Sequence, residues 1–81
     1  MDAVEKLEKL HDCHKPAFRT AFDYLETMWP PVLSVEFFQV AAAKMKDEAN
    51  AHGNDKLTNE LLMTIYTYLE YAAKAASESN E

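Results

Sequence analysis

The N-terminal third of the chain carries an apolar pattern with the period of an α-helix. Placed at 100° per residue, its main apolar side chains fall within about half of the helix circumference. These residues are Val4, Leu7, Leu10, Ala17, Phe18, Ala21, Phe22, Leu25, Met28 and Trp29. The pattern keeps its phase across Pro16, which lies on the opposite, polar arc. We therefore predict one helix over residues 2–29 that is kinked at Pro16. The alternative is a break there.

Turn signals separate two further helices from the first. The pair Pro30-Pro31 pushes the chain out of the helical conformation. Ser34 then offers a hydroxyl that can cap a second helix, predicted over residues 34–52. Gly53 is a typical residue to end that helix, and a third helix is predicted over residues 55–77.

Together these segments predict an all-α fold. Its expected form is a three-helix up-down-up bundle in which the third helix packs into the groove of the first two, and a four-helix bundle with a break at Pro16 is the alternative. One glycine and three prolines cannot supply the turns of a many-stranded sheet. At this length we expect a single domain over residues 1–81, with a frayed tail over residues 78–81.

Unequal helix lengths predict self-association. At 1.5 Å per residue the first helix reaches about 40 Å, against about 28 Å and 33 Å for the others. Val4, Leu7 and Leu10 would extend past both partners, and the same stripe of a second copy would cover them in a two-fold homodimer. We expect further interface contacts from the broad apolar face of the third helix, through Leu62, Tyr66, Leu69 and Ala73.

Charge and cysteine content limit the kinds of partner. The net charge is −6, from 14 acidic and 8 basic residues, and no run of Lys or Arg offers a surface for a phosphate backbone. The longest aliphatic run is short, at residues 40–43, which predicts no membrane span or signal peptide. Cys13 is the single cysteine. We therefore expect a cytoplasmic protein without a nucleic-acid or membrane partner.

His11, His14 and His52 are the candidates for metal binding or acid–base chemistry near neutral pH. If the first two helices form an antiparallel hairpin, residue i faces roughly residue 63 − i, which places His52 level with His11. The three imidazoles could then form a metal site. The other interpretation is that they finish apolar stripes and a helix end. We predict no metal and no other cofactor, and keep the three-histidine site as an alternative.

No motif in the chain indicates an enzyme. There is no nucleotide-binding loop and no paired metal motif, and Cys13 and His14 point about 100° apart on a helix. We predict a non-enzymatic acidic homodimer that binds another protein as an adaptor, regulator or inhibitor. One alternative is a metal- or pH-responsive module. Another is an acidic mimic of nucleic acid, although acids alternate with bases on the first helix.

Overall fold

The computed structural model describes residues 3–78, and all of the regular secondary structure in this range is α-helical. Its elements are α1 (Ala3–Asp12), α2 (His14–Met28), α3 (Val35–Ala51) and α4 (Lys56–Glu78). No strand occurs in this range, so the predicted all-α fold is confirmed. α4 packs against both α2 and α3, and α2 also contacts α3, as in a bundle. Apart from Glu78, the tail predicted to fray lies outside the described residues, as does the start of the first predicted helix.

The first predicted helix is divided at Cys13, which keeps right-handed helical angles (φ −85°, ψ −11°). Pro16 explains the division, because a proline has no amide hydrogen to donate to the carbonyl of Asp12. At the junction the chain tightens, and the Cys13 amide donates to the carbonyl of Leu10 at 3.1 Å. The single helix predicted over residues 2–29 is therefore two helices, and the boundary lies three residues before the proline.

The core lies where α4 meets α2 and α3. Leu62 and Leu69 of α4 are fully buried, and they pack with Tyr24 of α2 and Ala41 of α3. The Tyr24 hydroxyl donates a hydrogen bond of 2.8 Å to the carbonyl of Ala41. Partly buried hydrophobic residues surround this cluster, among them Leu25, Phe37, Phe38, Met45, Ala49, Ile65 and Tyr66. The small side chain of Ala41 lets α3 come close enough for this bond to form.

α2 buries a face that is rotated from the predicted apolar arc. Its buried residues are Ala17, Thr20, Ala21, Tyr24 and Met28. Phe18 and Phe22, which the apolar arc included, are 57% and 59% exposed. An arc of half the circumference is wider than the neighbouring helices can cover. Ala17, Ala21 and Met28, at one edge of the arc, are buried. Beyond that edge the buried face continues to Thr20 and Tyr24, whose side chains end in hydroxyl groups.

Side-chain and backbone caps set the ends of α3 and α4. The Ser34 hydroxyl accepts the amide of the third residue of α3 at 3.1 Å, so the predicted cap is confirmed. Gly53 (φ 68°) and Asn54 (φ 56°) donate their amides to carbonyls in the last turn of α3, which is a Schellman ending. An Asp55 carboxylate oxygen then accepts both the amide and the hydroxyl of Thr58, each at 3.1 Å.

α1 projects beyond the bundle. Among the described elements it contacts only α2, at their junction, and none of its residues is buried. The molecule measures 58 × 21 × 15 Å and has a radius of gyration of 15.3 Å, whereas a compact chain of this length has a radius of about 12 Å. The predicted overhang of the first helical segment is confirmed.

Tyr24 gives the fold a measurable dependence on alkaline pH. Burial, with a smaller contribution from Tyr66, raises the pKa of the Tyr24 phenol from 10.0 to about 12. The neutral phenol therefore stabilises the fold fully below pH 10, and this contribution is lost as the pH rises through about 12. Tyr24→Phe should remove the last tyrosine to ionise in an absorbance titration. At pH 7 it should lower the free energy of unfolding by about 1 kcal/mol.

The matched control for this experiment is Tyr71→Phe, because Tyr71 is 69% exposed. Its loss should change neither the late ionisation nor the free energy of unfolding. A late-ionising tyrosine that persists in Tyr24→Phe would contradict the assignment.

Pro16→Ala tests the cause of the division at Cys13. Alanine restores an amide for the Asp12 carbonyl and removes a ring clash worth on the order of 3 kcal/mol within a helix. We expect the melting temperature, followed by circular dichroism, to stay level or rise, while Lys9→Ala at an exposed position on the polar side of α1 serves as the control. A fall of several degrees in Pro16→Ala alone would show that the proline ends a turn that the fold needs.

Candidate interaction surface

Apolar side chains form a row along α1 and α2 that the fold leaves in solvent. Val4, Leu7, Phe18, Phe22 and Trp29 are between 47% and 63% exposed. At 100° per residue they fall within about 60° of the helix surface, centred about 120° from the buried face of α2. We call these five residues the exposed stripe. Large exposed apolar surfaces of this kind are characteristic of protein–protein interfaces.

Two histidines link the parts of the stripe on α1 and α2. The rings of His11 and His14 lie 5.2 Å apart, edge to face, although they belong to different helices. Their contact shows that one face of the helical segment continues across Cys13. Both residues lie at the middle of the exposed stripe along the helix axis, His11 within its angular range and His14 about 20° outside it. Leu10, which is 57% exposed, lies instead in line with the buried face of α2.

The structure separates the predicted interface residues into two groups. Val4, Leu7 and Leu10 are exposed, as the overhang requires. Three of the residues predicted on the third helix, Leu62, Leu69 and Ala73, belong instead to the core of the single chain, so they are not available to an interface. Leu62 and Leu69 are 0% exposed, Ala73 is 2% exposed, and Tyr66 is half-buried against the core cluster.

Phe18 and Phe22 are the surface residues that sequence reasoning assigned to the wrong side. The width of the first apolar arc was the available signal, because a helix beside a bundle of this size buries a narrower stripe. The narrow row of buried residues on α4 also limits how much of the apolar arc of α2 can be covered. Thr58, Leu62, Leu69 and Ala73 are spaced by four, seven and four residues and are the buried residues of α4, with Ile65 and Tyr66 partly buried beside them.

Aromatic residues extend the apolar surface onto α4. Trp29 and Tyr68 stack with their ring centroids 6.1 Å apart and their planes 11° from parallel. Tyr68 is 46% exposed, and Tyr71 and Met63 on the same helix are 69% and 55% exposed. Part of the broad apolar arc of α4 therefore remains exposed.

A groove of about 540 Å³ lies between α3 and α4. Its apolar lining comes from Leu33, Val35, Phe38, Ala42 and Tyr66, and Glu70 is among the polar residues that line it. The volume is in the range of sites that receive small molecules or large side chains. It is a second open apolar surface, on different helices from the exposed stripe.

The three histidines are not brought together as a metal site. His52 Nε2 lies 3.0 Å from the hydroxyl of Thr20, so the predicted position of His52 level with His11 is wrong. Thr20 belongs to the buried face of α2, whereas His11 and His14 are exposed on another side of the helical segment. Over residues 3–78, no group of three or more His, Cys, Asp or Glu side chains could hold a metal ion.

Cys13, His52 and Asp55 line one small cleft of about 110 Å³ without forming a catalytic arrangement. The His52 ring contacts Thr20, and the Asp55 carboxylate caps α4 through Thr58. Within the described segment, no hydrogen bond joins the thiol to the imidazole. A nucleophilic cysteine needs a base within hydrogen-bond reach, and this cleft does not supply one.

Comparison with protein-family models, with curated proteins and with solved structures gives no match to this chain. Between residues 3 and 78, none of the helices combines the length and apolar content needed to cross a membrane. The surfaces described above are therefore the basis for any assignment of function.

The positions of the histidines predict that metal ions do not stabilise the fold. A metal that binds only the folded chain raises its stability in proportion to RT ln(1 + [L]/Kd). We expect the melting temperature at pH 7.5 to be the same in micromolar zinc, in nickel and in a chelator. A rise in zinc that Ala substitutions at His11 and His52 each abolish would contradict this prediction.

Proposed function

We propose that the protein is a small, acidic, non-enzymatic helical protein that forms a homodimer and binds another protein as an adaptor, regulator or inhibitor. The observation that carries the proposal is the exposed stripe, which runs the length of α1 and α2. α1 has no buried residue, although Val4 and Leu7 give it an apolar face. A second copy of the same stripe is the simplest cover for it.

The size of the exposed surface supports self-association. The chain exposes 6024 Å², whereas a compact monomer of this mass exposes about 4,900 Å². The excess is about 1,100 Å², and a stable interface typically buries about 800 Å² on each partner. One dimer interface would therefore bring the exposed area per chain close to that of an ordinary folded monomer.

The length of α1 also favours a partner. α1 has 10 residues, and isolated helices shorter than about 12 residues are marginal in water. Most helical stability in proteins comes from packing an apolar face against a neighbour. Since α1 packs on neither α3 nor α4 within the described chain, contact with a second copy would supply the missing packing.

Binding of a different protein is supported by the groove between α3 and α4. The groove lies on helices other than those that carry the exposed stripe, so a dimer formed through the stripe leaves it open. Its lining is apolar, apart from residues such as Glu70, and the chain has a net charge of −6. Charge complementarity therefore favours a partner that presents apolar side chains on a basic surface.

Sedimentation equilibrium of the wild type and of Leu7→Glu tests the self-association. The wild type should be a dimer at tens of micromolar. Leu7→Glu places a charge in the seam and desolvates it, which costs several kcal/mol of association. The variant should therefore sediment as a monomer.

Lys9→Gln is the matched control, because it changes the net charge by the same amount on the polar side of α1. This variant should remain a dimer. A wild type that is monomeric at tens of micromolar would contradict the proposed homodimer, as would a Leu7→Glu variant that associates as tightly as Lys9→Gln.

A further inference from the structure

We propose that the two copies pair in antiparallel orientation, with the two-fold axis beside the junction of α1 and α2. The α1 helix of each copy then lies along α2 of the other. This inference rests on the proposed homodimer and adds the orientation, the register and the residues that meet.

The first argument is that the stripe is self-complementary in this orientation. When residue i of one copy faces roughly residue 29 − i of the other, apolar residues of α1 meet apolar residues of α2. Val4 faces the partner's Leu25, Leu7 faces the partner's Phe22, and His11 faces the partner's Phe18. The projecting α1 helix and the exposed phenylalanines of α2 then cover each other in two equivalent sets of contacts.

The second argument is the order of charges along one flank of the stripe. Glu8 and Asp12 come first, followed by Lys15 and Arg19, and all four side chains are exposed. At 100° per residue they lie within about 60° of each other. None of the four forms an ion pair within the part of the chain that the structure describes. The flank is therefore acidic in its first half and basic in its second half, with the change of sign at Cys13 and His14.

This order of charges distinguishes the two possible orientations. In an antiparallel pair Glu8 faces the partner's Arg19, and Asp12 faces the partner's Lys15. In a parallel two-fold pair the charged flanks of the two copies lie on opposite sides of the interface, so these four residues do not meet their counterparts. Only the antiparallel pair therefore brings opposite charges together, and this complementarity favours it. The charge pairs are centred between Cys13 and His14, and the apolar pairs between His14 and Lys15. Nearly the same two-fold axis therefore relates both sets of contacts.

The register also predicts what stays outside the interface. Because α1 begins at Ala3 and this register places Ala3 opposite Glu26, Trp29 lies beyond the residues of α2 that face the partner's α1. Its stack on Tyr68 therefore lies at the outer end of the dimer. α3, α4 and the groove between them do not take part, which agrees with an interface that uses only the first two helices.

Cysteine cross-linking determines the orientation. In a Cys13→Ala background, Leu7→Cys and Phe22→Cys are prepared as separate proteins and then mixed under mild oxidation. The antiparallel register predicts a disulfide between the two different variants, resolved by mass, and little cross-linking of either variant alone. A parallel dimer would instead cross-link Leu7→Cys to itself, and this result would overturn the orientation.

Charge reversal gives a second, independent test. Glu8→Arg and Arg19→Glu each place like charges together twice per antiparallel dimer, so each should raise the dissociation constant about fivefold, whereas the double variant should return to within about twofold of the wild type. Weakening that adds up in the double variant would overturn the pairing. If either contrary result is found while the wild type sediments as a dimer, only the orientation is rejected. A wild type that sediments as a monomer rejects the homodimer itself.

Discussion

The packing of α4 into the groove between α2 and α3 determines which surfaces of this chain are covered. Leu62 and Leu69 are fully buried there and hold one face of α2. Thr58, in the first turn of α4, lines the same small cleft as Cys13. α4 therefore begins at about the level where α1 ends, and nothing in the described chain reaches past it to cover α1. Both the projecting helix and the uncovered face of α2 follow from this one arrangement.

The choice of buried face on α2 has an energetic consequence. The fold buries Tyr24 and Thr20. Their hydroxyls form hydrogen bonds with the Ala41 carbonyl and the His52 ring, so these buried polar atoms are satisfied. Phe18 and Phe22 remain in solvent. Burying a phenylalanine stabilises a structure by about 1.5–3 kcal/mol, and the single chain does not realise this gain. Association of two copies through the exposed stripe would realise it, which is why the stripe is central to the proposed function.

The sequence predicted the features that depend on local chemistry. Caps at Ser34 and Gly53 follow from side-chain and backbone preferences, and the overhang follows from helix lengths. It could not predict which half of the wide apolar arc would be buried, because periodicity defines a face sharply only when the stripe is narrow. For the same reason the histidines do not converge, since His11 and His14 lie on the uncovered side of the first helical segment, whereas His52 contacts Thr20 on the buried face of α2.

Hydrogen exchange of α1 as a function of protein concentration tests the central claim most directly, because it observes the helix that has no neighbour in the single chain. Amides of α1 should exchange almost freely at high dilution and become protected as the concentration rises, while core amides near Leu62 and Leu69 stay protected throughout. If α1 exchanges at the same rate at every concentration, no second copy covers it, and the account of the exposed stripe as a dimer surface is contradicted.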